Sequence, residues 1–148
     1  LVVPEGGEAM SNAINLTILR MRPDVLVVGE VVSKEAVEYI MSLNLGIVTH
    51  TTIHSHSAPL ALTRLETLSR LSDIPLEERR EVIGQGLGLV VHLDKEYTPD
   101  KRAYRRYMRE IVAIKGIKDN KYELETLKRW TGERFTPLQG GMELWRRG

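Results

Sequence analysis

Apolar side chains follow two alternating spacings in the first half of the chain, and these spacings predict helices and strands in turn. Over Glu8–Met21 they recur every three or four residues, which predicts an amphipathic helix. Pro23 ends this helix, because a residue that precedes proline avoids the α region. The unbroken apolar run Val25–Val28 then predicts a strand covered on both faces. A second helical stripe, Ser33–Asn44, and a second strand, Gly46–His54, follow it.

This order of elements predicts the class of fold. Two strands joined by a helical crossover of this length indicate a parallel sheet in an α/β domain. Ser57 is a predicted cap for the next helix, with Pro59 in its first turn. Pro75 begins a further helix, which ends near Gly84–Gly88. A short apolar piece at Leu1–Val3 precedes all of these elements and reads as a strand.

The composition changes after residue 94. Leu89–Leu93 is apolar and predicts another strand, and basic residues then alternate with tyrosines. Ile111–Ile114 and Tyr122–Leu127 lie on either side of a predicted turn, so this tail is expected to form two or three antiparallel strands. We therefore divide the chain into an α/β part, 1–94, and a β-rich extension, 95–148.

Composition restricts the classes of protein to consider. The chain has 148 residues, of which 42% are hydrophobic and 28% charged, with a formal net charge of +1. These values fit one soluble domain and give no reason to expect a nucleic acid or anionic lipid as partner. Cysteine is absent, which excludes disulfides and thiolate metal sites. The apolar runs stay well below the roughly 18 residues that span a bilayer. Because the first residue is Leu1, we expect a fragment of a longer protein.

The first predicted strand ends on an acid, Glu30, directly after Gly29. Strands of a parallel sheet present their carboxyl ends to the crevice where ligands bind. A carboxylate there could hold Mg²⁺ through water and polarise an attacking water in a nucleotide hydrolase. Gly29 would let the backbone turn without a side chain blocking a phosphate. A surface acid at the start of the next helix explains the same residues, so this motif alone leaves both interpretations open.

The second predicted strand also ends in polar side chains. Thr51, Thr52 and His54 could form hydrogen bonds with a γ-phosphate and report its presence. His50, His54 and His56 also suggest a metal site, since alternate residues of a strand share a face. Neither a carboxylate nor a cysteine lies within this cluster, which argues against zinc. An ordinary polar strand end explains these residues as well.

Together the two motifs resemble the secretion-system ATPase superfamily of type II and type IV systems. They are most similar to the CpaF-like ATPases of tight-adherence pilus assembly. Arg20–Val31 resembles the family's Walker B segment, RMRPDxxxVGEV, and Thr51–Ser57 resembles its histidine box, TTxHxNS. The resemblance extends back to Gly7–Glu8 and forward through Arg64–Leu68 to the tail sequence RYMREIVAIKGI.

This resemblance implies the C-terminal half of a RecA-like P-loop NTPase core, with ATP and Mg²⁺ at its site. Glu30 would be the Walker B glutamate at the Mg²⁺ and the attacking water, and His54 would sense the γ-phosphate. Arg20 would match an arginine that reaches nucleotide at a subunit interface, although a solvated helix-end arginine explains it nearly as well. The other residues implied at the nucleotide are Gly29, Thr51, Thr52 and Arg64. Arg64 and Glu66 resemble a family pair, and by residue type alone they are an exposed pair on a helix.

Several features depart from the family pattern. The Walker A loop, GxxxxGK[ST], and the aspartate box precede this segment in the family and are absent from the 148 residues. We therefore expect no ATP turnover from this chain alone. Val32 replaces an arginine, Ile47 a histidine and His56 an asparagine. These changes leave open a weakly active or divergent member.

The function that the resemblance implies is that of a hexameric ATPase powering pilus assembly or protein secretion, of which this chain is a part. The expected partners are further copies in the ring and an inner-membrane platform protein, at the cytoplasmic face of the inner membrane. No direct binding of nucleic acid is expected. The alternative is a non-catalytic interaction module with Lys101–Arg109 as its contact face, although an ordinary solvated strand is the favoured interpretation of that segment. A histidine-bound metal protein is a third, weaker possibility.

Overall fold

The computed structural model describes residues 7–137, which form two compact units that divide between Leu87 and Gly88. The strand predicted at Leu1–Val3 lies outside the described residues. The first unit is α/β, as predicted. In chain order it contains α1 (Gly7–Leu16), a π-helical turn (Thr17–Met21), β1 (Val25–Val28), α2 (Glu35–Asn44), β2 (Val48–Thr51), α3 (Ala58–Leu68), a 3₁₀ turn (Ser69–Leu71) and α4 (Leu76–Gly86).

Local sequence signals place the helix ends where they were predicted. The first helix and its π-helical turn end at Met21, and Arg22 then adopts a left-handed conformation with φ 46° just before Pro23. Ser57 caps α3, since its side-chain oxygen accepts a hydrogen bond from the Leu60 amide at 3.3 Å. The chain therefore enters β1 and α3 at positions that its own proline and serine specify.

The two strands of the first unit are parallel, which confirms the predicted sheet. Their register pairs Val25 with Val48 and Val28 with Thr51. The prediction that β1 is covered on both faces is wrong for the described part of the chain, because Val25 and Val27 are 49% and 71% exposed. Leu26 and Val28 are buried. An unbroken apolar run does not show which of its two faces is covered, and here only the face of Leu26 and Val28 is.

Helix α2 packs against the sheet and against α4. The buried Tyr39 joins α2 to β2, because its hydroxyl accepts a hydrogen bond from the Thr49 hydroxyl at 3.2 Å. Gly86 permits the close approach of α4, since a Cβ at this position would lie 2.7 Å from the Cβ of Leu43. These contacts hold the helix that follows Glu30 in a fixed place relative to β2.

A buried ion pair joins α3 to α4. Glu66 is only 7% exposed. Its two carboxylate oxygens accept hydrogen bonds from Arg80, at 2.8 Å from Nε and 3.2 Å from Nη2. The neighbouring Arg79 donates to the carbonyl of Glu66 and, at 3.4 Å, to the hydroxyl of Ser69. This arrangement satisfies charges that would otherwise be costly to bury.

In chain order the second unit contains β3 (Leu89–Thr98), a 3₁₀ turn (Pro99–Lys101), β4 (Ala103–Lys118) and β5 (Lys121–Arg129). The strands form an antiparallel sheet in the order β3-β4-β5, as the alternating tail predicted. The composition boundary predicted after residue 94 lies within β3. Val112, Ala113 and Ile114 are buried in this sheet. Its last hairpin turns through Asp119–Asn120, which both have positive φ, as a type I′ turn requires.

We predict that Arg80→Ala destabilises the first unit by about 3 kcal/mol, because it leaves the buried Glu66 carboxylate without its bidentate partner. Urea denaturation of the full-length protein measures the loss. Arg70→Ala is the matched control, since Arg70 is exposed in the adjoining 3₁₀ turn. Equal stability of the two variants would show that the ion pair contributes nothing.

We also predict that stability falls at alkaline pH because of Tyr39. Burial raises the pKa of its phenol above the ordinary value of 10.0, and the hydrogen bond with Thr49 opposes this only in part. The free energy of unfolding that the neutral, buried phenol of Tyr39 contributes is fully present below pH 10. It is lost as pH rises, since the unfolded chain ionises first and the folded chain only at its higher pKa.

Urea denaturation of the full-length protein between pH 8 and 11 tests this prediction. Tyr39→Phe should lower stability by about 1 kcal/mol at neutral pH, through the lost hydrogen bond, and should reduce the alkaline decline. Tyr104→Phe, at an exposed position of β4, is the control and should leave the decline unchanged. The same alkaline decline in Tyr39→Phe and the wild type would contradict the prediction.

Candidate functional site

The segments that follow β1 and β2 lie side by side and are joined by hydrogen bonds. Parallel pairing ends with Val28 opposite Thr51, so the next residues of both strands leave the sheet at the same edge. The Thr52 hydroxyl donates to the Gly29 carbonyl at 2.7 Å. The Val31 amide donates to the Thr52 carbonyl at 3.0 Å. Two segments far apart in sequence are thus bonded to each other at one edge of the sheet.

This edge brings together Glu30 and His54, the two residues predicted to be catalytic. Nε2 of His54 lies 3.0 Å from Oε1 of Glu30. The side chains are 85% and 40% exposed, so both are accessible to a ligand in solution. The sequence predicted that both residues end parallel strands, and the structure adds that their side chains touch.

Thr51 and Thr52 were predicted to contact phosphate through their hydroxyl groups. In the structure both hydroxyls donate to backbone carbonyls instead. Thr51 donates to the carbonyl of Thr52 at 3.3 Å, and Thr52 donates to the carbonyl of Gly29 at 2.7 Å. Direct phosphate contact by these two residues therefore stays a prediction, and the shorter of the two bonds holds Thr52 to the segment that carries Glu30.

An open groove of about 500 Å³ begins at His54 and runs along α3. Arg64, another predicted site residue, lines it, and so does His56, which replaces the asparagine of the family pattern. The groove thus places a guanidinium and two imidazoles along one surface next to Glu30. Its lining residues are His54, Ser55, His56, Leu60, Thr63, Arg64 and Thr67.

Arg20 is exposed in the π-helical turn ahead of β1, and within residues 7–137 it makes no hydrogen bond or ion pair with Glu30 or His54.

The interpretation of Arg64 and Glu66 as an exposed pair is wrong for Glu66, which is buried against Arg80. Residues two apart on a helix point in different directions, so Arg64 faces the groove while Glu66 faces α4.

The described residues offer one acidic ligand for a magnesium ion at this edge. Between residues 7 and 137, no three His, Cys, Asp or Glu side chains are close enough to hold a metal by themselves. Mg²⁺ usually binds through one or two carboxylates, several waters and the phosphates of its substrate. Glu30 fits that role, because its carboxylate is partly exposed at the strand end. A site made only of protein ligands, as His50, His54 and His56 suggested, is not formed by the residues from 7 to 137.

Glu35 supports this site and was not identified from the sequence. It is 1% exposed at the start of α2, and its Oε1 accepts hydrogen bonds from the amides of Val32 and Ser33. Its Oε2 is buried without a hydrogen-bond partner among the described residues. The carboxylate fixes the loop between Glu30 and α2, including Val32, where the family pattern has arginine. An acid in the first turn of a helix is the signal that could have identified it.

Comparison with known proteins decides the family. Residues 3–125 match the family described as type II/IV secretion system protein. The chain belongs to this family. The match covers both strand-end motifs and most of the β-rich tail, and it confirms the family resemblance found in the sequence.

The relatives that the chain matches include proteins named for conjugal transfer. Conjugal transfer protein TrbB of Rhizobium radiobacter is 34% identical over 111 residues, which are 72% of this chain and 31% of that protein. A probable TrbB of Sinorhizobium fredii is 34% identical over 112 residues, 73% of this chain and 31% of that protein. A putative conjugal transfer protein of Mycobacterium tuberculosis is 28% identical over 110 residues, or 74% and 30%.

The chain therefore spans about a third of the length of the curated relatives it matches. A closer relation to CpaF-like proteins stays a prediction, because these relatives carry conjugal-transfer names. Within the part of the chain that the structure describes, none of the helices combines the length and apolar character needed to cross a membrane.

Proposed function

We propose that the full-length protein is a hexameric ATPase with a RecA-like core that powers transport by a type II or type IV secretion machine. This chain would supply the Walker B and histidine-box side of the nucleotide site. The observation that carries the proposal is the contact of Glu30 with His54 at 3.0 Å, at the shared edge of two parallel strands. The family match supports an ATPase-related role in secretion.

The names of the relatives support a setting for the proposed machine. Three of them are named for conjugal transfer, which favours a type IV transfer machine over pilus assembly or type II protein secretion. The proposed partners are other copies of the chain in a ring and a platform protein at the cytoplasmic face of the inner membrane. The nucleotide site would be completed by a phosphate-binding loop from another part of the full-length protein, so we expect no turnover by these 148 residues alone.

Glu30 is the proposed residue that orients the attacking water on the γ-phosphate of ATP. Its carboxylate is only partly exposed, and bonds from Thr52 to Gly29 and Val31 hold the backbone on either side of it. Such positioning supplies most of the catalysis in phosphoryl transfer. Mg²⁺, held through water by Glu30 and by the phosphates, would neutralise charge that develops on the transferred group.

His54 and Arg64 are the proposed contacts for the phosphates. The imidazole of His54 is largely exposed and already lies beside Glu30, so it can report to Glu30 whether a γ-phosphate is present. Arg64 lies along the same groove, where its guanidinium suits a phosphate oxygen. Arg20 is kept as a proposed contact to nucleotide across a subunit interface.

The structure gives less support to a non-catalytic interaction module. Its proposed contact face, Lys101–Arg109, lies mostly in the first half of β4 and is largely exposed, as an ordinary solvated strand would be. Two of its basic groups already have partners among the described residues. Arg105 lies 5.7 Å from the centre of the Trp130 ring, and Arg109 pairs with Asp94 at 3.0 Å. These contacts use part of the face that a partner would need.

We predict that Glu30→Gln in the full-length protein leaves ATP binding intact and lowers kcat by about 10²–10⁴-fold. The amide has the shape of the carboxylate but cannot polarise the attacking water. Steady-state hydrolysis and equilibrium binding of ATP measure the two effects separately.

Glu77→Gln makes the same chemical change at an exposed position of α4 and is the control. Its kcat and its affinity for ATP should equal those of the wild type. Undiminished turnover in Glu30→Gln would show that the proposed role of Glu30 is wrong.

A further inference from the structure

Thr52 binds both peptide groups that flank Glu30. Its hydroxyl donates to the carbonyl of Gly29 at 2.7 Å, and its carbonyl accepts from the amide of Val31 at 3.0 Å. We propose that Thr52 is a positioning residue that fixes the Glu30 carboxylate, and that it does not bind phosphate through its hydroxyl. This inference rests on the proposed function, because it concerns how Glu30 is held for ATP hydrolysis.

The chemistry of the hydroxyl separates the two roles. A threonine hydroxyl has one proton to donate and otherwise only accepts. An ionised phosphate oxygen needs a donor. The proton of Thr52 is already committed to Gly29, in a bond near the usual length for an O–H donor. If the Thr52 hydroxyl donated to a phosphate oxygen, it would therefore lose its hydrogen bond to the Gly29 carbonyl.

Gly29 needs such a bond, because packing does not hold it. A Cβ built on Gly29 would meet no other atom within 4 Å, and the residue is exposed. Glycine also has the widest backbone freedom of any residue. Without the hydroxyl of Thr52, the turn that leads from β1 to Glu30 would be restrained on one side only, through Val31.

The same residue also positions His54. Thr52 lies two residues before His54, and its bonds to Gly29 and Val31 set the separation between the two strand-end segments. The contact between His54 and Glu30 at 3.0 Å depends on that separation. One threonine thus determines where both proposed catalytic side chains lie.

The first test is kinetic and uses the full-length protein with MgATP. Thr52→Val keeps the shape of the side chain and the backbone bond to Val31 but loses the donor to Gly29. Misplacing the carboxylate should lower kcat by about 10- to 100-fold, with KM for ATP changed less than about twofold. Thr52→Ser, which keeps the hydroxyl, should retain most of the activity. Thr52→Ala should behave like Thr52→Val.

Thr98→Val is the matched control, because it makes the same chemical change at the end of β3, in the second unit. Its kinetics should equal those of the wild type. A raised KM for ATP with unchanged kcat in Thr52→Val would assign Thr52 to the phosphate and overturn the proposal. Wild-type values for both constants would also overturn it.

The second test does not depend on activity. Hydrogen exchange in the nucleotide-free full-length protein should be faster in Thr52→Val at the Val31 amide, which donates to the Thr52 carbonyl. It should be unchanged in Thr52→Ser and Thr98→Val. Unchanged exchange in Thr52→Val would overturn the proposal. If the wild type hydrolyses no ATP, the proposed function fails, and hydrogen exchange still decides whether Thr52 holds the turn.

Discussion

The parallel pairing of β1 with β2 is the constraint on which the candidate site depends. Its register ends with Val28 beside Thr51, so both strands leave the sheet at one edge. The backbone then continues the pairing through Val31 and Thr52. A shift of one residue would turn Leu26 and Val28 out of the core and move Thr52 away from Gly29. Burial of those two apolar side chains therefore fixes the geometry around Glu30.

The surrounding contacts keep that register in place. Tyr39 ties α2 to β2 through Thr49, and Glu35 holds the loop that leads from Glu30 into α2. Farther away, the pair of Glu66 with Arg80 fixes α4 against α3, whose other face carries the groove with Arg64. The helices thus stabilise the first unit and position the strand ends, but they carry few of the residues proposed to contact the nucleotide.

Local signals in the sequence were sufficient for the strands and their order. Pro23 and the apolar run predicted β1 with the bounds that the structure shows, and Ser57 predicted the start of α3. Pairwise contacts between distant residues were not predictable. The burial of Glu66 depends on Arg80, which is 14 positions away, and the bond from Thr52 to Gly29 spans 23 positions. No periodicity contains such information, so the sequence did not predict the burial of Glu66 or the bond from Thr52 to Gly29.

The central claim is that the edge shared by Glu30 and His54 acts on the γ-phosphate of ATP. The most direct measurement is a structure of the full-length protein with Mg²⁺ and a non-hydrolysable ATP analogue. We predict that the Glu30 carboxylate lies within hydrogen-bond reach of the γ-phosphate, directly or through one water, with His54 beside it. A nucleotide whose phosphates lie remote from both side chains would contradict the account.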